Sequence, residues 1–173
     1  MAETLITLKK RRSCRKYRPE LIEEEKLNAI IEAGTYAATG MGRQSPIIIA
    51  VTDRAMRDRL SAMNAAVMGR DGDPFYGAPE LLIVLADRSV PTYLYDGSLV
   101  MGNLMNAAAD LGVASCWIHR AKEMFNSEEG KEILKGLGIE GDYEGIGNLI
   151  LGYAAVPDAP AKPRKANYVY RIG

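Results

Sequence analysis

The chain has 173 residues, 47% apolar and 25% charged. That is the makeup of one compact domain, which buries about two thirds of its unfolded surface without a disulfide or metal staple. Lysine plus arginine and aspartate plus glutamate balance at 22 each. No global field therefore draws the protein to nucleic acid or to an acidic membrane, and any phosphate site must be a local cluster.

Met1 to Lys10 is too short and too polar for a signal peptide. No apolar run approaches the roughly 20 residues that span a bilayer, so the expected location is cytoplasmic. The first segment, Thr4 to Lys10, carries Leu5 and Leu8 at helical spacing and reads as a short helix. A second helix runs from about Glu23 to Thr35, with Leu27, Ile30, Ile31 and Gly34 on one face and three glutamates in the first turn, where the helix dipole favours them. Pro46 to Thr52 is a β-branched run and predicts a buried strand. Arg54 to Met68 repeats Met56, Leu60, Met63 and Val67 as a helix does. A turn-rich stretch follows, with Gly69, Gly72, Pro74, Gly77 and Pro79.

Leu81 to Ala86 predicts a second strand. Asp96 to Leu111 predicts a helix that is apolar nearly all round, with Asp96 as N-cap and Gly112 just past its end; such a helix belongs in a core. Val113 to Ile118 predicts a third strand, Ser127 to Leu137 a helix capped by Ser127 and stopped by Gly138, and Leu149 to Tyr153 a fourth strand. The last twenty residues, about 154–173, read as an extended arm. This order suits an α+β sandwich on one sheet around a central helix. It suits a doubly wound dinucleotide fold less well, because no strand is followed by a G-x-G-x-x-G turn.

Two basic clusters stand out. Seven of the ten residues from Lys9 to Arg18 are cationic. A charge run is commonly solvated surface, but Arg11, Ser13 and Arg15 alternate, so an extended backbone turns all three to one side. Two guanidinium forks and a hydroxyl suit one phosphate. Near the far end, Lys162 and Arg164 alternate around Pro163. The two pairs can close on one anion if the termini meet.

Other chemistry is poorly supplied. His119 is the one histidine, and no serine sits in a G-x-S-x-G elbow. Cys14 and Cys116 with a single histidine make no zinc ligand set; they read as reduced, packed thiols. The paired carboxylates, Glu23 to Glu25 and Glu128-Glu129, fall at helix N-termini, where capping and dipole effects account for them.

The pattern resembles a known family. Arg11-Arg12-Ser13-Cys14-Arg15 followed by Tyr17, then Ala37 to Pro46, is similar to the opening of the bacterial FMN-dependent nitroreductases. Leu111 to Ile118 matches their L-G-L-G-x-C-W-I run, and Gly152-Tyr153 followed by Lys162 to Lys165 matches their G-Y…K-x-R tail. The resemblance covers nearly the whole chain in order. It implies a single FMN-binding domain over residues 1–173. The implied fold is a nitroreductase-like α+β sandwich, with a central, mostly antiparallel sheet flanked by helices, in an interlocked homodimer with FMN at the subunit interface.

By position, the resemblance assigns Arg11, Arg12, Ser13 and Arg15 to the phosphate and ribityl chain, and Lys162 and Arg164 to the same phosphate. It assigns Gln44 to the ring or ribityl edge. Thr39, Gly40, Met41 and Gly42 are to come from the partner subunit, and Asn64 is to meet the pyrimidine edge. Trp117, Ile118, His119 and Arg120 are to lie along the flavin near N5, with a backbone N–H of His119 or Arg120 as donor. The family's usual asparagine is Gly42 here, and its usual Q-P-W is Gln44-Ser45-Pro46.

The implied activity is ping-pong hydride transfer from NAD(P)H through FMN to a flat nitroaromatic or quinone-like acceptor. The chemistry lies on the cofactor, so no catalytic side chain is required. Alternatives are a flavoenzyme of the same fold with other redox work, such as dehalogenation or flavin breakdown, and a non-catalytic flavin-binding protein.

Overall fold

A computed structural model describes residues 2–173; Met1, the first residue of the expected domain, lies outside them. The elements in chain order are α1 (Glu3–Lys10), α2 (Glu24–Thr35), β1 (Pro46–Val51), α3 (Arg54–Met68), β2 (Glu80–Asp87), α4 (Tyr93–Asp110), β3 (Ala114–Ile118), α5 (Ala121–Asn126), α6 (Glu128–Gly136) and β4 (Tyr143–Gly152). The strands form one sheet in the order β1-β2-β4-β3, and every neighbouring pair is antiparallel. This is the expected α+β sandwich.

Period-two alternation builds the two layers. In β2, Leu82, Val84 and Ala86 face α2 and α4 and pack with Ile30, Met101 and Leu104. Leu81, Ile83 and Leu85 face the other way, onto Leu60 of α3, Phe125 of α5 and Leu134 of α6. A strand covered on both faces is apolar at every position, which is why Leu81 to Ala86 reads as an unbroken run. Removing such a side chain from water contributes roughly 1.5–3 kcal/mol.

The helix limits follow local chemistry. The Asp53 side chain accepts from the Met56 N–H, and Gly69 closes α3 in the left-handed region. Ser127 accepts from the Gly130 N–H at the start of α6, as the sequence predicts.

Three elements differ from expectation. The helix expected at Asp96 begins at Tyr93, with Thr92 as N-cap. Asp96 is therefore not a cap but lies inside α4. The fourth strand begins at Tyr143, six residues before the expected Leu149. Gly145 and Gly147 disguise it. A Cβ at Gly145 would collide with the Ala121 backbone, and one at Gly147 would collide with the Trp117 indole. Both glycines thus mark close approaches inside a strand, not turns. The short α5 was not expected, because six residues are too few to show a period.

α4 is also not buried all round within one chain. It buries Val100, Met101 and Leu104, while Leu94, Tyr95 and Leu99 are 48%, 70% and 51% exposed. The residues after Tyr153 are exposed throughout.

Candidate active site

The termini meet because the segment after α1 is pinned between two distant strand ends. Ser13 forms a parallel bridge with Ser115 of β3, and Tyr17 forms an antiparallel bridge with Ala154 at the root of the arm. The Cys14 N–H donates to the Ser115 carbonyl at 3.0 Å, the Arg18 N–H to Tyr153 at 2.9 Å, and the Ala155 N–H to Lys16 at 2.9 Å. Tyr17 anchors this seam, its hydroxyl donating to the Cys14 carbonyl at 2.9 Å. Burial pushes the phenol far above its ordinary pKa, so it stays a donor.

The extended segment turns Arg11, Ser13 and Arg15 into one cavity of about 720 Å³, and the arm brings Lys162 and Arg164 to the same cavity. Leu8, Ala159, Pro160 and Ala161 line it as well, and no carboxylate does. Among the described residues, Arg11, Arg15, Lys162 and Arg164 form no ion pair. The Arg11 Nη1 is buried without a partner, which is a costly state. Arg164 is held in place by donating to the Lys162 carbonyl at 2.6 Å.

Arg12 also borders the cavity, but its Nη1 donates to the carbonyls of Lys9, Lys10 and Arg11 at 2.8–3.0 Å. It caps the C-terminal end of α1, where a cation is favoured. Arg12 thus lines the cavity with its Nη1 already committed to backbone, unlike Arg11 and Arg15.

The Thr39–Gln44 loop lies elsewhere. It makes a 3-10 turn at Gly40–Gly42, with Met41, Gly42 and Gln44 at positive φ and Met41 88% exposed. Thr39 and Gln44 border a separate cavity with Ile31, Ile48 and Val100. Within one chain, then, the loop does not join the basic cavity.

Asp96 holds this loop. The Gly40 N–H donates to its Oδ1 at 3.0 Å, and the Ser45 and Thr92 hydroxyls donate to its Oδ2 at 2.9 and 3.0 Å. Burial alone raises such a carboxyl, but the three donors outweigh it and hold Asp96 below the usual range. Ser45, a departure from the expected motif, is thereby explained as the buried partner of Asp96.

The remaining expected residues gather at the end of β3. Trp117 packs on the α4 side against Met101 and Gly147, with its indole N–H buried and unpartnered. The Ile118 side chain is in the opposite core, so any ligand contact from it is through the backbone. His119 is exposed beyond the strand, 6.5 Å from Trp117 between ring centres. Arg120 adopts φ 79°, in the left-handed region.

Asn64 is fully buried. Its Nδ2 donates to the His119 carbonyl at 2.8 Å, and its Oδ1 accepts from Arg120 Nε at 2.9 Å. Both ends of its amide are committed to protein, which corrects the expected contact with a pyrimidine edge. Sequence reasoning missed Asn148, buried in β4, whose Nδ2 lies 3.3 Å from the same carbonyl. A lone polar residue inside an apolar strand run, Asn148 before Leu149-Ile150-Leu151, was the available signal.

An antiparallel sheet sandwiched by helices, with a carboxylate-free basic cavity where the termini meet, defines an α+β protein of nitroreductase architecture. Residues 8–80 match the Nitroreductase family model. The whole chain superposes on an FMN-bound nitroreductase from Bacteroides fragilis with TM-score 0.91, 29% identity and full coverage of both chains. An FMN-bound nitroreductase from Desulfitobacterium hafniense gives 0.88 and 29%, covering 99% of this chain and 100% of that one.

A protein of Methanothermobacter thermautotrophicus, provisionally named an NADH dehydrogenase/NAD(P)H nitroreductase, is 27% identical over 66% of this chain. The match spans 60% of that relative's length. The resemblance read from the sequence is thus borne out: this chain carries the nitroreductase fold from end to end. Among the described residues, no helix is long and apolar enough to cross a membrane.

Proposed function

We propose that the protein is an FMN-dependent NAD(P)H oxidoreductase of the nitroreductase type, working as a homodimer. One observation carries the reading. Arg11, Ser13 and Arg15 converge with Lys162 and Arg164 on a single carboxylate-free cavity. That donor set fits a phosphate monoester such as FMN's.

From Ser115, which holds Ser13, β3 runs four residues to His119, about 13 Å at the rise of a strand. A flavin with its phosphate in the basic cavity can lie along this edge with its ring near the His119–Arg120 turn. FMN held there would supply hydride chemistry at N5 between NAD(P)H and a flat nitroaromatic or quinone-like acceptor, in ping-pong order. The chain's own part is to bind and orient. Arg11, Arg15, Lys162 and Arg164 hold the phosphate.

A second copy accounts for two exposed features: the apolar outer face of α4 and the arm beyond Ala155. It also accounts for the Thr39–Gln44 loop, which within one chain borders another cavity and as the partner's wall completes the site.

The test is a spectrum. Purified protein should absorb near 450 nm, roughly where oxidised flavins do. It should bleach anaerobically with NADH or NADPH and recover on adding a nitroaromatic or quinone. Flavin that no nicotinamide bleaches overturns the reductase assignment; colourless protein that takes up no added FMN overturns the cofactor. For assembly, light scattering should give twice the 18.9 kDa chain mass, and Leu99→Glu, which puts a charge on the exposed α4 face, should give the single-chain mass. A wild-type monomer that retains flavin contradicts the shared site.

A further inference from the structure

The end of β3 contains an arrangement that packing alone does not explain. Two asparagines from different elements, Asn64 on α3 and Asn148 on β4, both donate to one carbonyl, that of His119, at 2.8 and 3.3 Å. Asn148 Nδ2 also lies 3.4 Å from the Ile118 carbonyl. Both side chains are fully buried, and the Asn148 Oδ1 has no partner. An apolar side chain would fill that place in β4 without orphaning a polar atom, so the amide carries a cost that its donor role must offset.

The consequence is directional. Among the described residues there are no cis peptide bonds, and in a trans peptide the C=O and the following N–H point opposite ways. Two donors drawing the His119 carbonyl inward therefore turn the Arg120 N–H outward. The left-handed Arg120, a strained conformation for a side chain of this kind, is held by its own Nε donating to Asn64 at 2.9 Å. The outward N–H is thus fixed from both sides.

We infer that Asn148, together with Asn64, is a positioning residue that holds the His119 carbonyl and so aims the Arg120 N–H at N5 of a bound flavin. The inference rests on the FMN reading above. It adds a residue that touches no ligand and acts through the orientation of one peptide.

The test compares FMN with 5-deaza-FMN, in which a C–H replaces N5 and cannot accept a hydrogen bond. The measurement is binding, by fluorescence titration of apo-protein. Wild type should hold FMN about five- to tenfold tighter than the deaza analogue, the size of one net hydrogen bond. Asn148→Leu should bring that ratio close to one while leaving the phosphate contacts. A merely structural role weakens both ligands alike and leaves the ratio unchanged, and that result overturns the inference. If Asn148→Leu does not fold, Asn64→Ala removes the shorter bond and reads the same ratio. If wild type binds neither flavin, the FMN reading itself fails. If it binds both equally, only the aimed N–H fails.

Discussion

Purified Arg11→Ala/Arg15→Ala protein should be colourless, with FMN affinity reduced by at least two orders of magnitude. Each guanidinium offers charge-assisted hydrogen bonds to a phosphate, worth about 1.5–3 kcal/mol against charged acceptors. Losing both removes roughly 3–6 kcal/mol, or about 10²- to 10⁴-fold in Kd. The fold should survive, because neither side chain is part of the buried core and neither carries an ion pair. The comparison is FMN titration of wild type and double mutant, with circular dichroism as the folding control. A yellow, tightly binding double mutant would sink the phosphate assignment. Arg12→Ala serves as a contrast: it should cost helix-end stability more than FMN affinity, since its Nη1 donates to three carbonyls at the end of α1.

Asp96→Ala should destabilise the protein by about 2–4 kcal/mol at neutral pH, because it strands the Gly40 N–H and the Ser45 and Thr92 hydroxyls in a largely buried place. The pH dependence has a definite sign. The folded carboxyl is held below its ordinary range, so its stabilisation is complete above the unfolded value of about 4 and is lost as pH falls through the folded value. The gap between wild type and Asp96→Ala in urea denaturation should therefore be full at pH 7 and shrink as the solution is acidified below about pH 4. A gap that widens on acidification would refute the three-donor account. Under the FMN reading the variant should also lose flavin, since the freed Thr39–Ser45 loop is the wall offered to a second copy.

Much of the fold was legible because local rules and the tertiary structure agree. α3 begins and ends at the residues its periodicity marks, with Asp53 as cap and Gly69 as stop. β2 reads as a strand because both of its faces are covered. The β4 start was hidden because Gly145, Gly147 and Asn148 look like loop residues until the Ala121 backbone and the Trp117 ring are seen against them. Asp96 resembled a cap because Leu94 and Tyr95, just before it, are exposed in the single chain and show no core-facing period.

The two ends divide along the same line. The sequence by itself determined that Arg11, Ser13 and Arg15 share a side and that Lys162 and Arg164 form a matching pair, since strand alternation is a local property. It could not determine that the pairs meet. That was decided by the Ser13–Ser115 and Tyr17–Ala154 bridges, whose partners are distant in sequence and carry no pattern that names each other. The same holds for the His119 carbonyl. Asn64 and Asn148 are ordinary residues on separate elements, and only the packing of α3 and β4 around the end of β3 brings their amides to one oxygen.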